Sequence, residues 1–301
     1  MHRADIDGEK AEVNKNQRRA LANEAMLKSI DVRVEGKLDL TSPICIYELC
    51  DEYNVQVRFV DINMEGAYVA DAKPLILLSA LRPLPRRNFT CAHELGHHVF
   101  DHHSTVDQLM KDREQSKTVD PKEFLVDCFA GFLLMPTLGV RQAFVSRGWT
   151  PANATPIQIF TIACSFGVGY ETLLNHMCYS LQMIGEDKAQ TLIKKPLPAI
   201  RKEILGAPLS DPLVVADEKW LLSTIDVEVG TRILMPANAT GNGKLLTIEH
   251  DLAVGRVLRA DHPGIERVQC PNSNWAVFVR VSTTQFVGLS KFRHFEEVED
   301  E

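Results

Sequence analysis

Phe89-Thr90-Cys91-Ala92-His93-Glu94-Leu95-Gly96-His97 is the stretch from which the rest of this chain is read. Residues four apart on an α-helix share a face, about 6 Å apart along the axis, so His93 and His97 can reach one ion. Glu94 then sits beside that ion rather than on it. That is the place for a general base acting on a water whose pKa zinc lowers to about 7. Phe89 and Ala92 precede the motif and Val99 and Phe100 follow it, as in a buried helix of a globular domain.

A catalytic zinc site takes three protein ligands and keeps a fourth position open. Two residues compete for the third place. His103 would complete an H-E-x-x-H-x-x-G-x-x-H pattern, but Phe100 stands where that pattern needs a glycine to turn the chain back. His98, His102 and His103 are therefore expected as helix-end or surface histidines. The other candidate is Glu123, within Pro121-Lys122-Glu123-Phe124-Leu125-Val126-Asp127. Pro121 suits the first turn of a helix, on which Glu123 and Asp127 again share a face. A ligand carboxylate with an acid one turn later, free to accept the ring N–H of a bound histidine, is a pairing that metal sites use. Cys128, Phe129, Phe132 and Leu133 make this helix so apolar that unpaired acids on its inner side would be costly. The expected zinc ligands are His93, His97 and Glu123, with Asp127 behind them.

The two segments together, the second continuing through Phe129-Ala130 to Leu133-Leu134-Met135-Pro136, resemble the ImmA/IrrE family of zinc metallopeptidases. The resemblance runs over roughly residues 15 to 180. It implies that His93, His97 and Glu123 hold zinc, that Glu94 is the general base, and that Asp127 takes a position commonly held by Asn or Asp. Leu125 stands where many relatives carry a second acid, which removes one rival ligand. Cys91, two residues before the first ligand, is either a redox-sensitive or competing thiol or a small buried hydrophobe.

Composition narrows the class. The 301 residues are 45% hydrophobic and carry a net charge of −7, part of it in the acidic end from Glu296 to Glu301. Such a chain holds about two domains, and no global basic field recommends nucleic acid as the main partner. Seven cysteines without a C-x-x-C pair argue against a disulfide framework. With no apolar stretch of spanning length and no signal segment, the expectation is a cytoplasmic enzyme with no membrane partner.

The fold expected is α+β. A mobile stretch over residues 1–16 leads into a small metallopeptidase domain over 17–150, whose first helix runs from Gln17 to Ile30. Ile44 to Tyr53 reads as a second helix, Val55 to Val60 as a strand, and Gly66 to Ser79 as a hairpin turning near Asp71-Ala72-Lys73-Pro74. Residues 151–185 read as a helix-turn-helix-like segment whose second helix lacks any Arg or Lys for base edges, which favours a packing module over a DNA reader and leaves contact with DNA open. Four prolines mark 186–209 and its surroundings as a linker. Residues 210–301 are expected to form a β-rich regulatory domain resembling the sensor domains, some GAF-like, of certain family members. Arg256, Arg259, Arg280, Lys291 and Arg293, with Trp275, Phe278 and Phe286, could make a basic aromatic face for single-stranded DNA, or else belong to an ordinary solvated sheet.

These readings join into one expectation: a zinc endopeptidase that, by the family resemblance, cleaves a helix-turn-helix transcriptional repressor on a stress, DNA-damage or phage signal. Its activator would be single-stranded DNA or a small molecule at the C-terminal domain. The alternative is a non-catalytic, zinc-stabilised transcriptional regulator or DNA- or partner-binding module, for which a closed four-ligand site would need no Glu94.

Overall fold

The computed structural model describes residues 14–103, 105–106, 120–220, 224–271 and 273–295. Of the stretch expected to be mobile, residues 1–13 lie outside these, as does the acidic end. Asn14 caps the first helix, α1 (Lys15–Glu35), through a reciprocal pair in which Asn14 accepts from the Gln17 N–H and Gln17 accepts from the Asn14 N–H. Helix α1 therefore starts before Gln17 and continues past Ile30. Along it Leu27 is exposed while Ala25, Ser29, Val32 and Arg33 are buried. The Arg33 guanidinium is satisfied by the carbonyls of Leu133, Asp39 and Ser42, an arrangement that ties α1 to distant chain.

After α2 (Ile46–Glu52), strands β1 (Gln56–Val60), β2 (Gly66–Val69) and β3 (Leu75–Ser79) build a sheet. β1 runs parallel to β3, and β3 pairs antiparallel with β2, as the Asp71–Pro74 turn requires. Val57 and Phe59 of β1 alternate inward. Helix α3 (Leu84–Val99) lies against this sheet and carries the histidine motif, and β4 (Thr105–Val106) pairs with the outer edge of β2. Helix α4 (Pro121–Leu134), capped by Asp120 accepting from the Lys122 N–H, packs between α1 and α3.

Helices α5 (Thr137–Val145), α6 (Pro156–Ser165) and α7 (Tyr170–Asn175) follow, the last continued by a π-type turn over His176–Ser180. α6 and this continued helix make an angle of 101° around a turn in which Gly167 has φ +63°. Tyr170, Leu173, Leu174 and Met177 of the second helix are buried. Its outward side offers Glu171, Asn175 and Tyr179, none of them cationic. The expected linker is ordered instead into α8 (Glu186–Ile193) and α9 (Leu197–Leu205), with Ala189, Leu192 and Ile200 in the core. Pro196 and Pro198 start α9 rather than break the chain, because a proline's missing N–H costs nothing in a first turn.

The remaining chain is β-rich. One sheet has the order β5 (Leu213–Val215), β7 (Arg232–Met235), β9 (Gly255–Ala260), β8 (Leu246–Leu252), and the other β10 (Gly264–Gln269), β11 (Ala276–Ser282), β6 (Thr224–Glu228). They enclose a second core containing Trp220, Ile225, Leu258, Trp275 and Val279. Most of the proposed basic aromatic face is taken up elsewhere, with Phe278 and Lys291 left exposed. Arg256 is held by Asp251 and Arg259 by Asp261, Arg280 is buried on Asp226, Trp275 is buried, and Phe286 packs edge-on against Phe59. The chain then leaves this half: β12 (Gly288–Leu289) pairs antiparallel with β1, adding a strand to the first sheet. No single described helix is long and apolar enough to cross a membrane.

Candidate metal centre

Helix α3 begins after Pro83 with Pro85 in its first turn, and from Thr90 to His97 every residue is buried. Two small contacts set its position. A Cβ at Gly66 would lie 2.5 Å from Thr90 Cγ2, so β2 runs closer to the helix than any side chain permits. A Cβ at Gly96 would lie 3.0 Å from Phe129 and 3.1 Å from Val126, so α4 also comes close on the other side.

That closeness brings Glu123 of α4 to the two histidines. The Nε2 atoms of His93 and His97 are 3.2 Å apart, His93 Nε2 is 3.4 Å from Glu123 Oε2, and His97 Nε2 is 3.5 Å from Glu123 Oε1. Donors bound at 2.0–2.2 Å in a tetrahedron stand about 3.3–3.6 Å from one another. The donor set and its spacing therefore fit one zinc ion with a fourth position left over. All ligand atoms of this trio lie within 4.8 Å of each other, and it is the one such group of three among the described residues.

Asp127 sits one turn along α4 and accepts from the His93 ring, Nδ1 to Oδ1 2.8 Å. Burial works against a charge on His93, but the carboxylates of Asp127 and Glu123 outweigh it and raise the imidazole well above its ordinary value. His97 is lowered, by burial first and then by the neighbouring His93 charge, since two imidazoles this close do not both hold a proton. A metal taking both Nε2 atoms must displace the proton from His93. Glu94 is fully buried on the same helix, turned toward β2, and its charge is felt at His93.

The other histidines lie outside the trio. His98 Nδ1 is 2.8 Å from the Tyr68 hydroxyl, and His103 is exposed. Phe100 ends α3, and the turn that it cannot make falls to Asp101, with φ +52°. His102 Nδ1 comes to 3.0 Å from His97 Nδ1, on the edge of that ring away from Glu123. Cys91 points elsewhere, its sulfur 3.7 Å from that of Cys50, and complete burial pushes its thiol far above the ordinary range, which keeps it protonated and a poor ligand.

A cavity of about 870 Å³ opens beside His93 and Asp127 and runs past Phe160, Phe166 and His176 to Asp226. Sequence reasoning did not anticipate that β6 of the C-terminal half lines the same space as the histidine motif. Only non-local pairing places it there, and no periodicity within β6 carries that signal.

Residues 50–177 match the model of the IrrE N-terminal-like domain of the M78 peptidases. No curated protein matches the chain. Among solved structures, a Mycobacterium tuberculosis transcriptional regulator is similar at 16% identity and a TM-score of 0.35, over 54% of this chain and 50% of that one. The chain thus spans about half the length of that structure. The family match stops at residue 177, so it adds nothing to the GAF-like expectation for the C-terminal region.

Proposed function

We propose that this protein, whose residues 50–177 match the IrrE N-terminal-like domain of the M78 peptidases, is a cytoplasmic zinc endopeptidase in which His93, His97 and Glu123 hold the metal and Glu94 is the general base. The observation that carries the reading is the convergence of three ligand atoms within 4.8 Å at tetrahedral spacing, next to a buried carboxylate that is not one of them. Bound there, zinc supplies Lewis acidity that polarises a peptide carbonyl and acidifies a water. With the metal held there, Glu94 would serve as the base that takes a proton from a water and returns it to the leaving amine. Asp127 fixes the ring of His93 so that Nε2 faces the metal position. The cavity beside His93 receives the substrate chain.

The substrate class follows from the family resemblance: a helix-turn-helix transcriptional repressor, cleaved in response to a stress, DNA-damage or phage signal. A small molecule is the better candidate for the signal, because four of the five cations proposed for single-stranded DNA are engaged by acids or buried: Arg256, Arg259, Arg280 and Arg293. Glu94→Gln tests the enzyme reading. The variant should keep its fold and one equivalent of zinc, yet fail to cleave a co-expressed repressor followed by gel and mass spectrometry. Cleavage at the wild-type rate would remove Glu94 from the chemistry and favour a zinc-stabilised regulator.

A further inference from the structure

We infer that His102 is a positioning residue for the metal centre, holding His97 through a neutral imidazole–imidazole hydrogen bond as Asp127 holds His93 through a carboxylate. The inference rests on the metal reading proposed above. Its starting point is the asymmetry of the two ligand rings. Each presents Nε2 to the other and to Glu123, so in the metal-bound state each must carry its proton on Nδ1. For His93 that N–H donates to Asp127 Oδ1 at 2.8 Å. For His97 the atom 3.0 Å from Nδ1 is His102 Nδ1, which must then be the acceptor and carry its own proton on Nε2.

The chain is built to bring it there. Helix α3 stops at Val99, and Asp101 takes a left-handed conformation, which Asp tolerates better than most residues. The reversal lets the His102 backbone N–H donate to the His97 carbonyl at 2.9 Å, so backbone and ring both return to the same residue. The His102 ring is stacked on Phe100, with centroids 6.1 Å apart and planes at 26°, which fixes its orientation. His102 meets His97 on the ring edge opposite the ligand nitrogen. It orients a ligand and does not become one.

Metal-ligating histidines whose second nitrogen loses its partner bind metal 10 to 100-fold more weakly as a rule. In the full-length chain, His102→Phe keeps the stacking on Phe100 and removes the acceptor. His102→Asn sets an amide oxygen near the place of Nδ1 and restores it. Zinc affinity is read by competition with a chromophoric chelator, and thermal unfolding is followed on the zinc-free proteins. The expected result is roughly 10 to 100-fold weaker zinc for His102→Phe, with affinity largely recovered by His102→Asn. Affinity should be unchanged for His103→Phe, and all zinc-free forms should melt together. The inference is overturned if His102→Phe binds zinc like wild type, or if His102→Asn is as weak as His102→Phe. It is equally overturned if His103→Phe loses as much, or if the zinc-free His102→Phe chain is destabilised in step with its affinity. Wild type that takes no zinc at all would bring down the metal reading itself, an outcome distinct from any of these.

Discussion

At the scale of single residues, the candidate metal centre divides into side chains that would bind the ion and side chains that orient them. His93→Ala, His97→Ala and Glu123→Ala should each abolish stoichiometric zinc, measured by atomic emission on the purified chain, because two remaining donors do not close a site. Asp127→Ala should weaken zinc by about 10 to 100-fold without abolishing it, since the ligands remain and only one ring loses its anchor. Retention of zinc by Glu123→Ala would show that the third ligand lies elsewhere. His176 makes a separate prediction. It is buried, its Nε2 hydrogen-bonds to the Met135 carbonyl, and burial lowers it from 6.5 to about 4. A histidine kept neutral by the fold gains a proton more readily when unfolded, so its contribution is whole above pH 6.5 and is lost as pH falls toward 4. Compared with His176→Gln, wild type should lose about 3 kcal/mol more over that range in denaturant titrations. Parallel curves for the two proteins would refute the assignment.

At the scale of elements, legibility follows the range of the interactions involved. Helix α3 is read from its own spacing, and the α4 motif from capping and periodicity, so His93, Glu94, His97, Glu123 and Asp127 are all visible in the sequence as local patterns. His102 is not, because its role depends on a left-handed Asp101 at a position where no glycine announces a turn. Arg33 is equally hidden, as its partners at Leu133 stand 100 residues away. The helices α8 and α9 are obscured by prolines that mark starts and breaks alike until the flanking apolar residues find a core. β12 is the hardest of all, two residues long and paired with a strand more than 200 residues earlier. Its energetic weight lies in its neighbours, since Phe286 packs against Phe59 and the Arg293 guanidinium lies 4.9 Å over the ring of Tyr47. Phe286→Ala should cost on the order of 3 kcal/mol in chemical denaturation, the usual range for removing a packed aromatic. A change below about 0.5 kcal/mol, the scatter of surface substitutions, would show that β12 adds little to the sheet.

At the scale of the whole molecule, the two halves are joined by charge as well as by β12. Arg280 of β11 donates from Nε and Nη2 to Asp226 of β6, at 2.7 and 2.5 Å, and from Nη1 to Glu48 of α2. Arg87 of α3 is paired with Glu228 of β6 at 2.5 Å, and Arg147 with Asp217 at 2.6 Å. Burial would raise the Asp226 carboxyl, but His294, Arg280 and Arg293 outweigh it and hold the group far below the usual carboxylate range. Removing one partner from such a cluster leaves a buried charge uncompensated, which costs more than the intact pair contributes. A chain ending near Ala207 would lose β12, Arg293, Phe286 and every one of these acceptors on β6 at once. Tyr47 and Phe59 would be uncovered, while Arg87 would keep its charge without Glu228. The C-terminal region is thus tied structurally to the part of the chain that carries the histidine motif. The full chain is therefore expected to unfold in one cooperative transition, and the 1–207 fragment to melt well below it with exposed apolar surface detected by dye binding. Calorimetry of both proteins decides the matter. Two separate transitions in the full chain, one of them matching the fragment, would mean that the halves are independent and that the contacts across β1, α2 and α3 carry little free energy.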